Sequence, residues 1–411
     1  MFQSRKNEII ALASLTLIAF SANAAPEKLT PVLADVAILE HIGVKPLAVQ
    51  TDTAVGFAKL TNEQRTKLEH AAHDFKKCGG YEALPDDATS AQSFAVTNAF
   101  GQLAKQEAKR RAFVPSAHLF RSMAVNPKIM TAIGQVSEAN LKSTVEFMSG
   151  FEDRFNKGAT PNKSVDALKL RIEGTVRGAK NPVTVEFISH KSTPQKSIRA
   201  RIQGSTRASE IVVLGGHLDS INQDWMGPKL APGADDNASG SSNLLEALRI
   251  VANQEQPERT IEFFWYAGEE SGLLGSAEIA KDYKAANKDV VAVLQLDMTL
   301  FPGDGQFILG SMTDFTSAWL RSYFENLNDL YIKAKIVNDK CGYGCSDHAS
   351  WDKQGYPALM PFEASMRTMN GNIHTAKDKI DSNSNFAHSA MFSKVAVALA
   401  LDLGNSTQRE P

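Results

Sequence analysis

The sequence predicts an α/β class fold: a three-layer α/β/α sandwich with a mixed, centrally parallel sheet. Three observations carry that expectation. Near-continuous apolar runs occur at 211–216, 261–268 and 290–296, and strands without polar alternation are those covered on both faces. Each run is followed by sequence of helical character, over 240–252, 273–285 and 314–330,. Two alternating segments lie upstream, Val183 to Ile188 and Ser197 to Ile202, joined by a turn containing Thr193-Pro194. They read as antiparallel strands at one edge of the sheet.

Taken in order, the chain opens with Arg5 and Lys6 before an apolar stretch from Ile9 to Phe20. Ser21-Ala22-Asn23-Ala24 then offers a small-residue cleavage site, so 1–24 read as a secretory signal peptide,. The stretch is too short for a comfortable membrane span, and no later segment is expected to cross a bilayer. Residues 25–115 read as a small, mainly helical segment. Thr61-Asn-Glu-Gln64 resembles a capping box, the helix is expected over 62–77, and Gly79-Gly80 would stop it,. Strand signals are few there. Lys109-Arg110-Arg111, before Phe-Val-Pro, is either a processing site or a solvated helix end,. Beyond 120, Ser137 is placed to cap a helix carrying Leu141, Val145 and Met148 on one face, with Gly150 ending it,. A second helix is expected over 164–173.

Composition sets the limits. The chain has 411 residues, 43% hydrophobic and 22% charged, enough for a large core,. A formal net charge of −2 leaves no electrostatic footprint for nucleic acid or an anionic membrane,. Of the three cysteines, Cys341 and Cys345 form the obvious pair if the chain is exported,. Cys78 would then stand alone, which fits a segment that is later removed.

The chemistry gathers where the apolar runs end. His217-Leu218-Asp219 follows the first run, Glu269-Glu270 the second, and Asp297 the third. Asp235-Asp236-Asn237 lies between the first two, and His374 comes late. Ligands of open α/β sheets bind at the carboxyl ends of strands, and a set of His and carboxylate groups there can hold two zinc ions around one water. That pattern points to metal-assisted hydrolysis.

Each residue also has a plainer explanation. Asp219, two positions beyond His217, points the same way along an extended segment and can orient the imidazole; the plainer reading is a loop His and a turn Asp. Asp235-Asp236-Asn237 can simply cap the helix from 240. Glu269 and Glu270 resist a surface reading, since buried carboxylates need a partner. One would bind metal and the other act as general base, in an order that spacing leaves open. Asp297 can cap a loop, and His374 can be an exposed loop histidine. His348 is structural or supports another group, and the remaining histidines lack supporting context. Tyr343, between Cys341 and Cys345, is either a packed loop residue or a phenol held to donate to an oxyanion.

GGHLDS, APGADDNASG, AGEESGLLGS, LQLDMT, CGYGCSDHASW and IHT, in that order over roughly 120–405, resemble the secreted bacterial leucyl aminopeptidases. These are two-zinc exopeptidases with a zinc-peptidase, phosphorylase/hydrolase-like fold. The resemblance implies a signal peptide (1–24), an N-terminal propeptide (25–115) and a catalytic domain (116–411). It implies two Zn2+ per chain. Asp235 would bridge them, with Glu270 and His374 completing one zinc and His217 and Asp297 the other. Glu269 becomes the general base, Asp219 orients His217, and Tyr343 assists the oxyanion beside a Cys341–Cys345 disulfide. An apolar pocket for the first residue maps to Met298, Cys345, Phe362, Met366 and Ile373. Met366 stands where an aromatic residue is expected.

The expected substrate is therefore the N-terminal bond of peptides and proteins, with leucine or another large apolar first residue. The expected partners are that substrate and a processing protease, with no nucleic acid and no membrane after signal removal. The protein is expected to be secreted, through the periplasm in a Gram-negative source, and monomeric when mature. Three rivals stand beside this reading. A glutaminyl-cyclase-like acyltransferase would keep one zinc. A carboxypeptidase would need a basic clamp, and Arg367 is the only arginine in the expected pocket region. A non-catalytic binding domain would be expected to lose ligands.

Overall fold

The computed structural model describes residues 28–50, 54–75, 81–84, 124–223 and 230–410. Residues 1–24, read from sequence as a signal peptide, and Cys78, Gly79-Gly80, the 109–111 basic cluster and His118 lie outside them.

The N-terminal residues form a four-stranded antiparallel sheet of β1 (Thr30–Asp35), β2 (Ala48–Gln50), β3 (Val55–Leu60) and β4 (Tyr81–Ala83), in the order β2-β3-β1-β4. Among the described residues this sheet stands beside two helices, Val36–His41 and Asn62–Asp74. The strands are short and their alternation is weak, so little in the sequence marks them. The capping box forms as expected: Thr61 N–H donates to Gln64 Oε1 at 3.0 Å, and Gln64 N–H to Thr61 Oγ1 at 3.1 Å. Its helix runs Asn62–Asp74, ending earlier than expected.

The main sheet follows. Strands β5 (Val183–Ile188) and β6 (Ser197–Ile202) pair antiparallel, as expected. Strands β7 (Arg207–His217), β8 (Arg259–Tyr266) and β9 (Asp289–Gln295) are parallel. Strands β10 (Ile308–Met312), β11 (Lys335–Asp339) and β13 (Pro361–Phe362) make a small second sheet, while β12 (Ala358–Leu359) joins the first. The main order is β12-β9-β7-β8-β6-β5, in which β6 runs opposite to the other five strands.

Alternation within the buried strands builds the layers. Val212, Leu214, Phe263 and Trp265 enter a core with helices Ala238–Val251 and Phe386–Asn405. Ile211, Val213, Phe264 and Tyr266 face the other way, onto Ile279 and Tyr283 of helix Leu274–Ala285 and onto Trp351. Strand residues alternate faces with period two, so one apolar run serves both layers. Helix Phe386–Asn405 is long and apolar enough to cross a membrane, against expectation, but most of it is buried within the protein as a core helix.

β7 sits between β9 and β8, so three adjacent parallel strands end side by side at His217, Gln295 and Tyr266. Gly240 permits the next close approach. A Cβ there would lie 2.0 Å from the Leu296 carbonyl oxygen, which precedes Asp297. Gly240→Ala is therefore expected to destabilise the fold by ~3 kcal/mol, the upper range for overpacking, read as a lowered urea midpoint. An unchanged midpoint would contradict this contact.

Candidate active site

His217 ends β7, and Glu269 and Glu270 lie in a single 3-10 turn, Glu269–Ser271, just beyond β8. Asp297 follows β9 by two residues. His374 belongs to a loop whose backbone is in the left-handed region, φ 58°, and its carbonyl accepts a hydrogen bond from Gln223 N–H at 2.8 Å. All five are buried.

The Asp235-Asp236-Asn237 segment divides three tasks among neighbours. Asn237 caps helix Ala238–Val251 by accepting from Gly240 N–H, and its amide donates to Leu296 O. Asp236 faces both imidazoles: Oδ1 lies 3.0 Å from His217 Nε2, and Oδ2 lies 3.0 Å from His374 Nε2. Asp235 turns away. Its oxygens accept from Leu300 N–H and Asn370 Nδ2, both at 3.0 Å, and it sits beside the Glu363 carboxyl. The expectation that Asp235 is the shared carboxylate is thus corrected to Asp236. Adjacent residues project differently, and the hydrogen bonds that occupy Asp235 come from segments distant in sequence.

The atoms that could hold a metal fall into two buried groups, His217–Asp236–Asp297 and Asp236–Glu270–His374, each with its atoms within 4.8 Å of one another. Asp297 Oδ2 is 3.5 Å from His217 Nε2, and Glu270 Oε2 is 3.1 Å from His374 Nε2. Asp219 supports the site from behind. It accepts from the backbone N–H groups of Glu269 and Glu270 at 3.1 and 3.3 Å, while Oδ1 lies 3.4 Å from His217 Nδ1. Asp378, unassigned in the sequence reading, does the same for the opposite loop by accepting from Asp235 and Asp236 N–H, both at 3.0 Å. Ser346 donates to Asp297 Oδ2 at 2.5 Å.

The electrostatics call for a cation. Burial raises Glu269 well above the ordinary carboxylate range, and burial with the Asp236 charge raises Glu270 to about 7. Burial also raises Asp297. Burial favours the neutral imidazole of His217, but Asp297, Glu269, Asp219 and Asp236 outweigh it and hold the ring well above its usual range. Both oxygens of Glu269 and Oδ1 of Asp297 accept no hydrogen bond. Carboxylates so placed require a positive partner, and imidazole with carboxylate oxygen is a donor set suited to zinc and related divalent ions. The residues therefore fit a metal.

The residues expected to line an apolar pocket also meet. Met298, Cys345, Phe362 and Ile373 share one buried apolar cluster with Tyr343, and Met366 packs against it. Cys341 and Cys345 are disulfide-bonded, with Cα atoms 6.1 Å apart. Sequence reasoning missed Met312, Met360 and Met369 in the same cluster. Arg367 is exposed, and His348 is buried with its ring pushed down to about 3 by desolvation, outside both ligand groups. His190 is tied to Ser197 Oγ, and His388 to the Glu363 carbonyl. The buried arginine near the site, Arg154, spends its guanidinium on the carbonyls of Leu218, Met148, Pro232 and Gly233, so it is not placed to clamp a carboxylate.

A parallel sheet whose adjacent strand ends carry such a cluster defines a class, the metal-dependent hydrolases. Residues 197–399 match the model of Peptidase family M28. Leucine aminopeptidase 1 of Emericella nidulans is 40% identical over 286 residues, covering 66% of this chain and 72% of the relative. The crystal structure of the Legionella pneumophila LapA aminopeptidase superposes with a TM-score of 0.74 at 26% identity, covering 93% of this chain and all of that one. Porphyromonas gingivalis glutaminyl cyclase shares the fold, with a TM-score of 0.51 at 18% identity over 64% of this chain and 98% of that one. The chain belongs to Peptidase family M28 and is a metallo-aminopeptidase. Its similarity extends to fungal leucine aminopeptidases, so a specifically bacterial affiliation is not supported.

Proposed function

We propose that this chain is an exported aminopeptidase, made with a removable N-terminal segment, that uses two zinc ions to release large apolar first residues such as leucine. The observation that carries the metal count is the two-sided placement of Asp236, 3.0 Å from an imidazole nitrogen on each side. His217 and Asp297 would complete one zinc site, and Glu270 and His374 the other. Zinc bound there would supply Lewis acidity and lower the pKa of a shared water.

The chain's own groups do the rest. Glu269, buried and without hydrogen-bond donors on its oxygens, is the general base that takes the proton from water and passes it to the leaving amine. Asp219 holds the Glu269–Glu270 backbone and the His217 ring in one arrangement. Tyr343 donates to the developing oxyanion. Met298, Cys345, Phe362, Met366 and Ile373 enclose the first side chain. Methionine thioethers adapt their shape, so the pocket is suited to more than one apolar residue. The second ligand group distinguishes this reading from a glutaminyl-cyclase-like acyltransferase on the same fold.

Residues 1–24 as a signal peptide, 25–115 as a propeptide and 116–411 as the catalytic domain fit this reading, with a processing protease as partner and a monomeric mature form. The disulfide is compatible with an exported destination,. Leucine p-nitroanilide and its N-acetyl derivative test the activity. The processed protein is expected to cleave only the free amine, to lose activity to a chelator and to regain it with zinc. Equal cleavage of both substrates would overturn the exopeptidase assignment.

A further inference from the structure

We propose that Arg154 is a positioning residue for the metal centre, whose guanidinium fixes the spacing between the loop after His217 and the loop before Asp236. This rests on the reading of His217 and Asp236 as zinc ligands. Arg154 is buried, and its fork spans three segments. Nε donates to Leu218 O at 2.9 Å, Nη2 to Gly233 O at 2.8 Å, and Nη1 to Pro232 O and, at 3.1 Å, to Met148 O. Leu218 adjoins His217, Pro232-Gly233 lead into the Asp235-Asp236 segment, and Met148 lies in the last turn of helix Glu138–Ser149. A buried carbonyl outside a helix or ladder needs a donor. Here one planar group serves both ligand-bearing loops and a helix end. Five N–H donors in a rigid fork allow that, whereas the three donors of a lysine radiate from a single nitrogen.

Ser220 doubles the tie. Its Oγ accepts from Arg154 N–H at 3.2 Å and donates to Ala231 O at 2.7 Å, while Ala231 N–H donates to Glu152 O at 2.9 Å. Gly233 makes the close approach possible: its φ is 51°, and a Cβ there would lie 2.5 Å from Ser220 Cβ and 2.7 Å from Arg154 Nη2. The same segment reaches the turn that carries Glu269. Arg154 O accepts from Gln195 Nε2 at 2.8 Å, and Gln195 Oε1 accepts from Gly268 N–H at 3.2 Å. Asn156 Oδ1 accepts from Ser271 Oγ at 2.8 Å. Burial pushes the guanidinium down to about 10, and the charges of Asp378, Asp219, Asp236 and Glu270 act in the opposite sense. It therefore stays charged at neutral pH, behind the carboxylates rather than in contact with them.

The test measures zinc binding by equilibrium dialysis, and cobalt binding by visible absorption, on the metal-stripped full chain well below its thermal transition. Arg154→Lys keeps the charge and loses the fork. It is expected to weaken zinc binding at least ~10-fold, the lower end for groups that orient metal ligands, and to change the cobalt spectrum. Arg259→Lys is the comparison for general destabilisation. Arg259 is also buried and donates to Leu403 O and Gln408 O, but it starts β8, at the end away from Glu269. Its variant should lower the thermal midpoint and leave zinc affinity and the cobalt spectrum at wild-type values. If Arg154→Lys does not fold, Ser220→Ala decides by the same measurements, with weaker zinc binding expected. Wild-type zinc affinity and an unchanged cobalt spectrum in the folded variant would overturn the positioning role, as would an equal loss in Arg259→Lys. A wild type that binds no zinc would defeat the reading of the ligands, and the positioning role with it.

Discussion

Glu269→Gln is expected to stop turnover while leaving metal content unchanged. Glu269 stands apart from the two ligand groups, which are complete without it. Its oxygens accept no hydrogen bond, so the amide displaces no donor. The loss expected in kcat is at least ~10²-fold, the range for a positioned general base. Glu269→Ala should lose at least as much. Glu270→Gln should behave differently: its Oε2 lies 3.1 Å from His374 Nε2 in a ligand group, so metal and activity should fall together. The comparison needs kcat and metal content on the same preparations. Full metal with full activity in Glu269→Gln would refute the general-base role.

The second large effect separates two adjacent aspartates. Asp236→Asn removes a charged oxygen from both ligand groups at once. Its loss of metal affinity should exceed the ~10–100-fold typical of groups that only orient ligands. Asp235→Asn should stay within that range, because Asp235 binds Leu300 N–H and Asn370 rather than either imidazole. Equilibrium dialysis with zinc measures both. A tighter hold on metal in Asp236→Asn than in Asp235→Asn would restore Asp235 as the shared ligand.

The contrast between these neighbours shows where the sequence stopped being legible. Buried parallel strands read clearly, because burial on both faces leaves an apolar run and a polar group at its end stands out. His217, Glu269, Glu270 and Asp297 were found in that way, and the edge pair β5–β6 showed its alternation. Which of Asp235 and Asp236 faces the histidines depends on partners 60 or more positions away,. The same holds for Asp378, which meets its backbone donors only after the His374 loop docks. Helix Phe386–Asn405 is apolar nearly all round, so it offered little helical periodicity,. The N-terminal sheet and β10–β13 are short strands stabilised by tertiary packing.

The most direct test of the two-metal account is zinc anomalous diffraction from crystals of the processed, zinc-loaded protein. The account predicts two peaks, one on each side of the Asp236 carboxylate, with His217 and Asp297 around one and Glu270 and His374 around the other. A single peak, or a pair sharing Asp235, would contradict it.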